Sequence, residues 1–242
     1  MRPTFPLGRA VAVAIALAFG AIAITPISAS AEEDSRIARG GQLYDKWFAV
    51  TGAEKPKDTH KAWPASNTKK KGNATWRCKS CHGWDLRGKD GAYASGSYKT
   101  GIGGLRAHLG GDPAKVVAAI GDATHGLGDL IADADKADIA LFVTKGQLKM
   151  ESYIGADKSV KGDAMKGAAY YNTLCAGCHA VDGSMPKDLP KPLGAIAASN
   201  PWETLHKIQN GQPAEAMPAL RALPMDVSLD ILAYMVQKMP KK

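Results

Sequence analysis

Beyond residue 31 the chain has no apolar run approaching the roughly 20 residues that a membrane-spanning helix needs, so a mature protein starting there is expected to have no span. Cysteine is scarce, four in 242 residues, which leaves room for two disulfides at most. No segment sustains the apolar and polar alternation of a half-buried strand, which argues against a β architecture. The glycine-rich stretch from Gly83 to Gly104 lacks the G-x-x-x-x-G-K-[ST] spacing and is read as a loop, not a phosphate cradle. Basic residues outnumber acidic ones, 31 to 23, but apart from Lys69-Lys70-Lys71 the lysines are scattered and no nucleic-acid motif accompanies them. That excess points instead to an acidic partner or an anionic small molecule, felt mainly as faster encounter.

What is present begins with an export signal. Arg2 and Arg9 precede an apolar run from Ala10 to Ile24, and Ala29-Ser30-Ala31 stands just before Glu32-Glu33-Asp34. Basic, apolar and small-residue regions in that order predict a secretory signal, residues 1–31, cleaved after Ala31, and hence a periplasmic protein. Its removal takes two arginines and no acid from a formal charge of +8.

In an exported chain four cysteines would suggest disulfides, yet their spacing decides otherwise. They form Cys78-Lys79-Ser80-Cys81-His82 and Cys175-Ala176-Gly177-Cys178-His179, two C-x-x-C-H motifs, and that arrangement reads as thioether attachment of haem c. Two copies with the trailing histidine disfavour a thioredoxin-like pair or a zinc site. Cys78, Cys81, Cys175 and Cys178 are assigned to two covalently bound haem groups, with His82 and His179 as the proximal iron ligands.

The surroundings of the motifs also repeat. Gly40 and Tyr44 are four apart, as are Gly167 and Tyr171. Asp112-Pro113 and Asn200-Pro201 each read as an N-cap followed by proline at the first helical position. The segments 138–143 and 230–235 match as short apolar helices with an acidic start. Two tandem all-α domains follow, 32–148 and 163–242, joined by a polar linker at 149–162, with helices expected over Ala114–Ile120, Lys136–Val143, Trp202–Gln209 and Leu229–Lys238. The first domain carries about thirty extra residues, roughly 46–76, holding Trp47, Trp63, Trp76 and His60. This insertion reads equally as cover for an apolar haem edge or as a docking surface.

The second domain resembles class I cytochrome c along its length: Gly167 and Tyr171 before Cys175, Pro192-Leu193-Gly194 after the motif, Met217-Pro218, then Asp230-Ile231-Leu232-Ala233-Tyr234. The resemblance implies an all-α fold wrapped around haem, Met217 as the distal ligand, the Pro192 carbonyl as acceptor for His179, and a crossing of first and last helices at the glycine and aromatics. In the first domain His125 stands where the repeat places Met217, thirteen residues before Asp138 as Met217 is before Asp230. Bis-histidine ligation of the first haem is the resulting expectation, with His125 as an exposed loop residue the alternative and His108, His60 and Met150 as rival ligands. His206 is expected at the surface or against a propionate. A vacant iron face would permit catalysis, whereas two strong ligands make a closed electron-transfer site. The whole resembles two-domain dihaem cytochromes, which implies a relay of single electrons between redox protein donor and acceptor. The competing class is a dihaem enzyme of peroxidase or sulfur-compound dehydrogenase type acting at the first haem.

Overall fold

The computed structural model describes residues 27–242, so the export signal lies outside the described residues except for Ile27–Ala31. Among the described residues there are nine α-helices, short 3-10 turns and no β-strand beyond two isolated bridges. Helix α1 spans Ile27–Val50 and bends at Lys46, where the insertion begins. Helix α2 is Cys78–His82, α3 Pro113–Gly121, α4 Asp133–Lys145, α5 Ala164–Leu174, α6 Ala176–His179, α7 Leu193–Ser199, α8 Pro201–Asn210 and α9 Met225–Gln237.

Local chemistry sets most of these boundaries. The Asp112 carboxylate accepts the Ala114 N–H at 2.9 Å ahead of Pro113, and the Asn200 side chain accepts the Glu203 N–H at 3.3 Å ahead of Pro201. Both satisfy first-turn donors that a helix cannot pair itself. Asp163 caps α5 by accepting from Met165 and Lys166. Helix α4 starts three residues earlier than expected, at Asp133. Its N-cap, Ala132, offers no side-chain bond, but Asp133 and Asp135 sit in the first turn, where negative charge suits the helix dipole. Helix α9 likewise starts earlier, at Met225 directly after Pro224.

The first and last helices of each half cross at a glycine. A Cβ on Gly40 would overlap the Asp138 carbonyl oxygen and lie 2.9 Å from Phe142 Cβ. One on Gly167 would overlap the Asp230 carbonyl oxygen and lie 3.0 Å from Tyr234 Cβ. Only glycine permits either approach, and the two crossings are of one kind. Both aspartates also receive a bond from the segment at or beside the crossing helix: Asp138 from Arg36 at 2.8 Å, and Asp230 from the Asp163 N–H at 2.6 Å.

Two hydrophobic clusters result. The first gathers Leu43, Tyr44, Trp47, Ile120, Ile131, Ile139 and Phe142. The second gathers Tyr171, Ala197, Leu205, Ile208, Ile231 and Leu232. Each large aliphatic or phenyl side chain so buried is worth about 1.5–3 kcal/mol of transfer free energy. The segment expected to be a polar linker is not free: Met150 and Ile154 are buried in the second cluster, with Tyr153 and Val160 against it, because apolar residues are interspersed among its charges.

The halves meet through α1 and α8. His206 Nε2 donates to the Gly41 carbonyl at 2.9 Å, Gln42 Nε2 to the Asn210 carbonyl at 2.8 Å, and Lys207 Nζ lies 3.3 Å from Asp45. The His206 ring packs among Tyr44, Trp84 and Phe142. The expected surface position of His206 is therefore corrected: it is buried at the junction, since α8 turns that face onto α1.

Candidate haem-ligating site

Both C-x-x-C-H motifs fold as a short helix whose next residue enters the left-handed region, Gly83 at φ 82° and Ala180 at φ 59°. That reversal frees a carbonyl which a tyrosine from the preceding helix holds. Tyr44 donates to Gly83 O at 2.6 Å and Tyr171 to Ala180 O at 2.9 Å. The tyrosines of the repeat thus do the same work in both halves, tying α1 to the residue after α2 and α5 to the residue after α6.

The six histidines sort by which ring nitrogen is engaged. His82 Nδ1 donates to Gly103 O at 2.8 Å, His125 Nδ1 to Asp122 Oδ1 at 3.1 Å and His179 Nδ1 to Met185 O at 3.0 Å. In each case the proton is placed on Nδ1 and the Nε2 lone pair is left for a metal. Burial lowers the His82 pKa against the Gly103 bond, which keeps that ring neutral. His60 and His206 are opposite: their Nε2 atoms are spent on the carbonyls of His125 and Gly41. His108 lies exposed on a 3-10 turn, near enough to His82 for its charge to act on that ring, and Met150 is buried in the second core.

The rings of His82 and His125 lie 29° from parallel with centroids 6.3 Å apart. A metal–imidazole bond of about 2 Å plus about 1 Å from each nitrogen to its ring centre would put the centroids about 6 Å apart across one metal ion. The spacing of the two rings is that of a pair sharing one metal ion. Asp122 braces the distal member: its Oδ1 also accepts the backbone N–H of Thr124 and His125, both at 2.8 Å. Arg106, three residues beyond the Gly103 that accepts from His82, pairs Nη2 with Glu151 at 2.6 Å and keeps Nε and Nη1 buried without a protein partner, donors of the kind a haem propionate accepts.

In the second half His179, at the end of α6, and Met217, in the loop between α8 and α9, are both half-buried. The acceptor for His179 is the Met185 carbonyl, not that of Pro192, which instead caps α7. The Leu193 N–H bonds to Gly183 O, so the chain around Pro192 is committed to packing α7.

The cysteines lack the electrostatics of a redox dithiol. Burial pushes the Cys78 thiol up to about 12 and Cys81 and Cys175 to about 11, whereas a reactive pair needs a lowered pKa. Among the described residues no three His, Cys, Asp or Glu side chains converge as a zinc site requires. Asp122 was not legible as a site residue; the Asp122-x-x-His125 spacing was the one available signal, since i and i+3 side chains can meet, and His60, a rival ligand on the sequence, bonds the His125 carbonyl instead.

Residues 162–235 match the family model of cytochrome c oxidase, cbb3-type, subunit III. No curated protein and no solved structure matches the chain. The matched segment takes in α5 to α8 and most of α9, and the likeness supports a class I c-type cytochrome domain there, a helical module of the kind that carries covalently bound haem c. No described helix is long and apolar enough to cross a membrane.

Proposed function

We propose that the chain is an exported two-haem c-type cytochrome that relays single electrons between redox proteins. Its first haem would be held by Cys78, Cys81, His82 and His125, and its second by Cys175, Cys178, His179 and Met217. The observation that carries this reading is the 6.3 Å spacing of the His82 and His125 rings, each with Nδ1 anchored, in a half whose helix crossing at Gly40 matches the one at Gly167. When bound, each haem supplies a one-electron iron couple.

The protein's own part is to close both irons and set their potentials. The thioether of Met217 favours reduced iron, so the second centre lies higher in potential than the bis-imidazole centre, and electrons run from first to second. Asp122 and the backbone around His125 hold the distal imidazole in place, which favours a closed relay over peroxidase chemistry at an open face. The basic surface favours acidic redox partners.

Two measurements on the purified mature protein test this. Intact mass should equal the chain from Glu32 plus two haem groups, and a potentiometric titration should resolve two waves, the lower shifting in His125→Met. A mass gain of one haem, or high-spin iron in the oxidised protein, would overturn the reading.

A further inference from the structure

We propose that His60, from the thirty-residue insertion, is a positioning residue that holds the distal ligand His125 against iron by donating Nε2–H to the His125 carbonyl. The inference rests on the assignment of His125 as that ligand and concerns what keeps it there.

The geometry leaves His60 one role. Its Nδ1 accepts the Ala62 N–H at 3.1 Å, so the proton sits on Nε2, which lies 2.8 Å from His125 O. A ring with both nitrogens engaged in this way cannot itself ligate iron. The ring is buried and stands edge-on to Trp76, centroids 4.4 Å apart. Its backbone N–H donates to Thr75 Oγ1 at 2.9 Å, and Thr75 in turn donates to Gly72 O at 2.6 Å. Trp76 Nε1 donates to Asp58 O at 2.8 Å, and Trp47 Nε1 to Trp76 O at 2.9 Å. Trp76 is two residues before Cys78, so the insertion is laced to the chain that enters the first haem motif.

His125 is thereby gripped from two sides. Asp122, on its own loop, orients the imidazole through Nδ1, and His60 anchors the main chain to the proximal side. Residues 121–124 and Gly126 are exposed and 39% of the His125 side chain is accessible, so core packing resumes only at Leu127, two residues further on. Lys61 also reaches this loop: a Cβ on Gly126 would sit 3.5 Å from Lys61 Nζ. The insertion thus works as a clasp across the first haem crevice, and release of His125 from iron requires this hydrogen bond to break or the clasp to move with it.

Carbon monoxide uptake by the fully reduced two-haem protein reads that release, because the gas binds iron only after the distal ligand leaves. His60→Phe keeps a ring against Trp76 and removes the donor; His60→Gln keeps an N–H at similar reach. Loss of one net hydrogen bond should speed uptake at the first haem by about fivefold to tenfold in His60→Phe, with His60→Gln within about twofold of wild type. The oxidised variants should remain low-spin. Should His60→Phe not accumulate as folded holoprotein, His60→Asn, whose amide falls short of the carbonyl, carries the comparison and should show the same acceleration.

If the donor-less variant matches wild type, or if His60→Gln is as fast as it, the role of His60 is refuted, while rapid uptake in His125→Ala would leave the ligand assignment standing. If His125→Ala itself takes up the gas no faster than wild type, the ligand assignment fails and this inference with it.

Discussion

The Asp45 carboxylate is 1% exposed at the junction of the two halves, between Arg77 beside the first haem motif and Lys207 on α8. Burial alone would raise its pKa, but the charges of Lys207 and Arg77 outweigh this and hold it at about 2. Relative to an ordinary value near 3.8 that shift corresponds to about 2 kcal/mol of folding free energy at neutral pH. The substitution Asp45→Asn leaves two cations facing a neutral amide, and a broken buried pair costs about 3–5 kcal/mol. The cost here is smaller, because Arg77 keeps the main-chain carbonyl of residue 45 and Lys207 keeps Gln212 and Glu203. We expect Asp45→Asn to lose about 2–3 kcal/mol, or about 5–10 °C of melting temperature for a chain of this size. The sign with pH follows from the lowered pKa. The contribution is complete above the ordinary carboxylate range and disappears as pH falls toward 2, so the gap between wild type and variant should be flat at neutral pH and close in acid. Calorimetry of the two holoproteins from neutral to acid pH measures this. A variant melting within about a degree of wild type at neutral pH, or a gap that persists undiminished into strong acid, would refute the reasoning.

Gly40→Ala and Gly167→Ala should each lose about 1–3 kcal/mol or more in denaturant unfolding, since either Cβ would overlap a helix carbonyl; equal tolerance to a surface Gly→Ala control would contradict the matched crossings. Asp122→Asn should raise the potential of the first haem in a spectroelectrochemical titration, because a neutral amide supports the His125 imidazole less than a carboxylate. His206→Ala should destabilise the protein by about 2–4 kcal/mol in the same unfolding assay, through a lost buried hydrogen bond and a cavity among Tyr44, Trp84 and Phe142. Burial lowers the His206 pKa from 6.5 to about 4, so the folded protein should lose stability as pH falls through that interval, where only the unfolded chain takes up the proton, and His206→Ala should lack that part of the acid dependence.

Features set by local chemistry were legible in the chain. Asp112-Pro113 and Asn200-Pro201 announced α3 and α8 because a cap and a proline act within one turn. The glycine and tyrosine spacing marked the repeat, and the resemblance to class I cytochrome c implied the helix crossing at those residues. Features set by tertiary packing were not. The early start of α4 depends on first-turn charges without a capping side chain. The burial of His206 depends on how α8 meets α1, and the use of Met185 O instead of Pro192 O depends on how the chain turns after α6. His60 could be seen only as a rival ligand in an insertion, since its actual partner is a main-chain carbonyl 65 residues away and no side-chain pattern encodes that contact.

The assignment of two unequal, closed haems is tested most directly by electron paramagnetic resonance of the oxidised protein, wild type beside His125→Met, with a redox titration of each. The account predicts two low-spin signals in wild type, one bis-imidazole and one imidazole–thioether. In the variant the first should convert toward the second and its potential should rise. A high-spin signal in wild type, or a first haem whose spectrum and potential ignore the substitution, would contradict it.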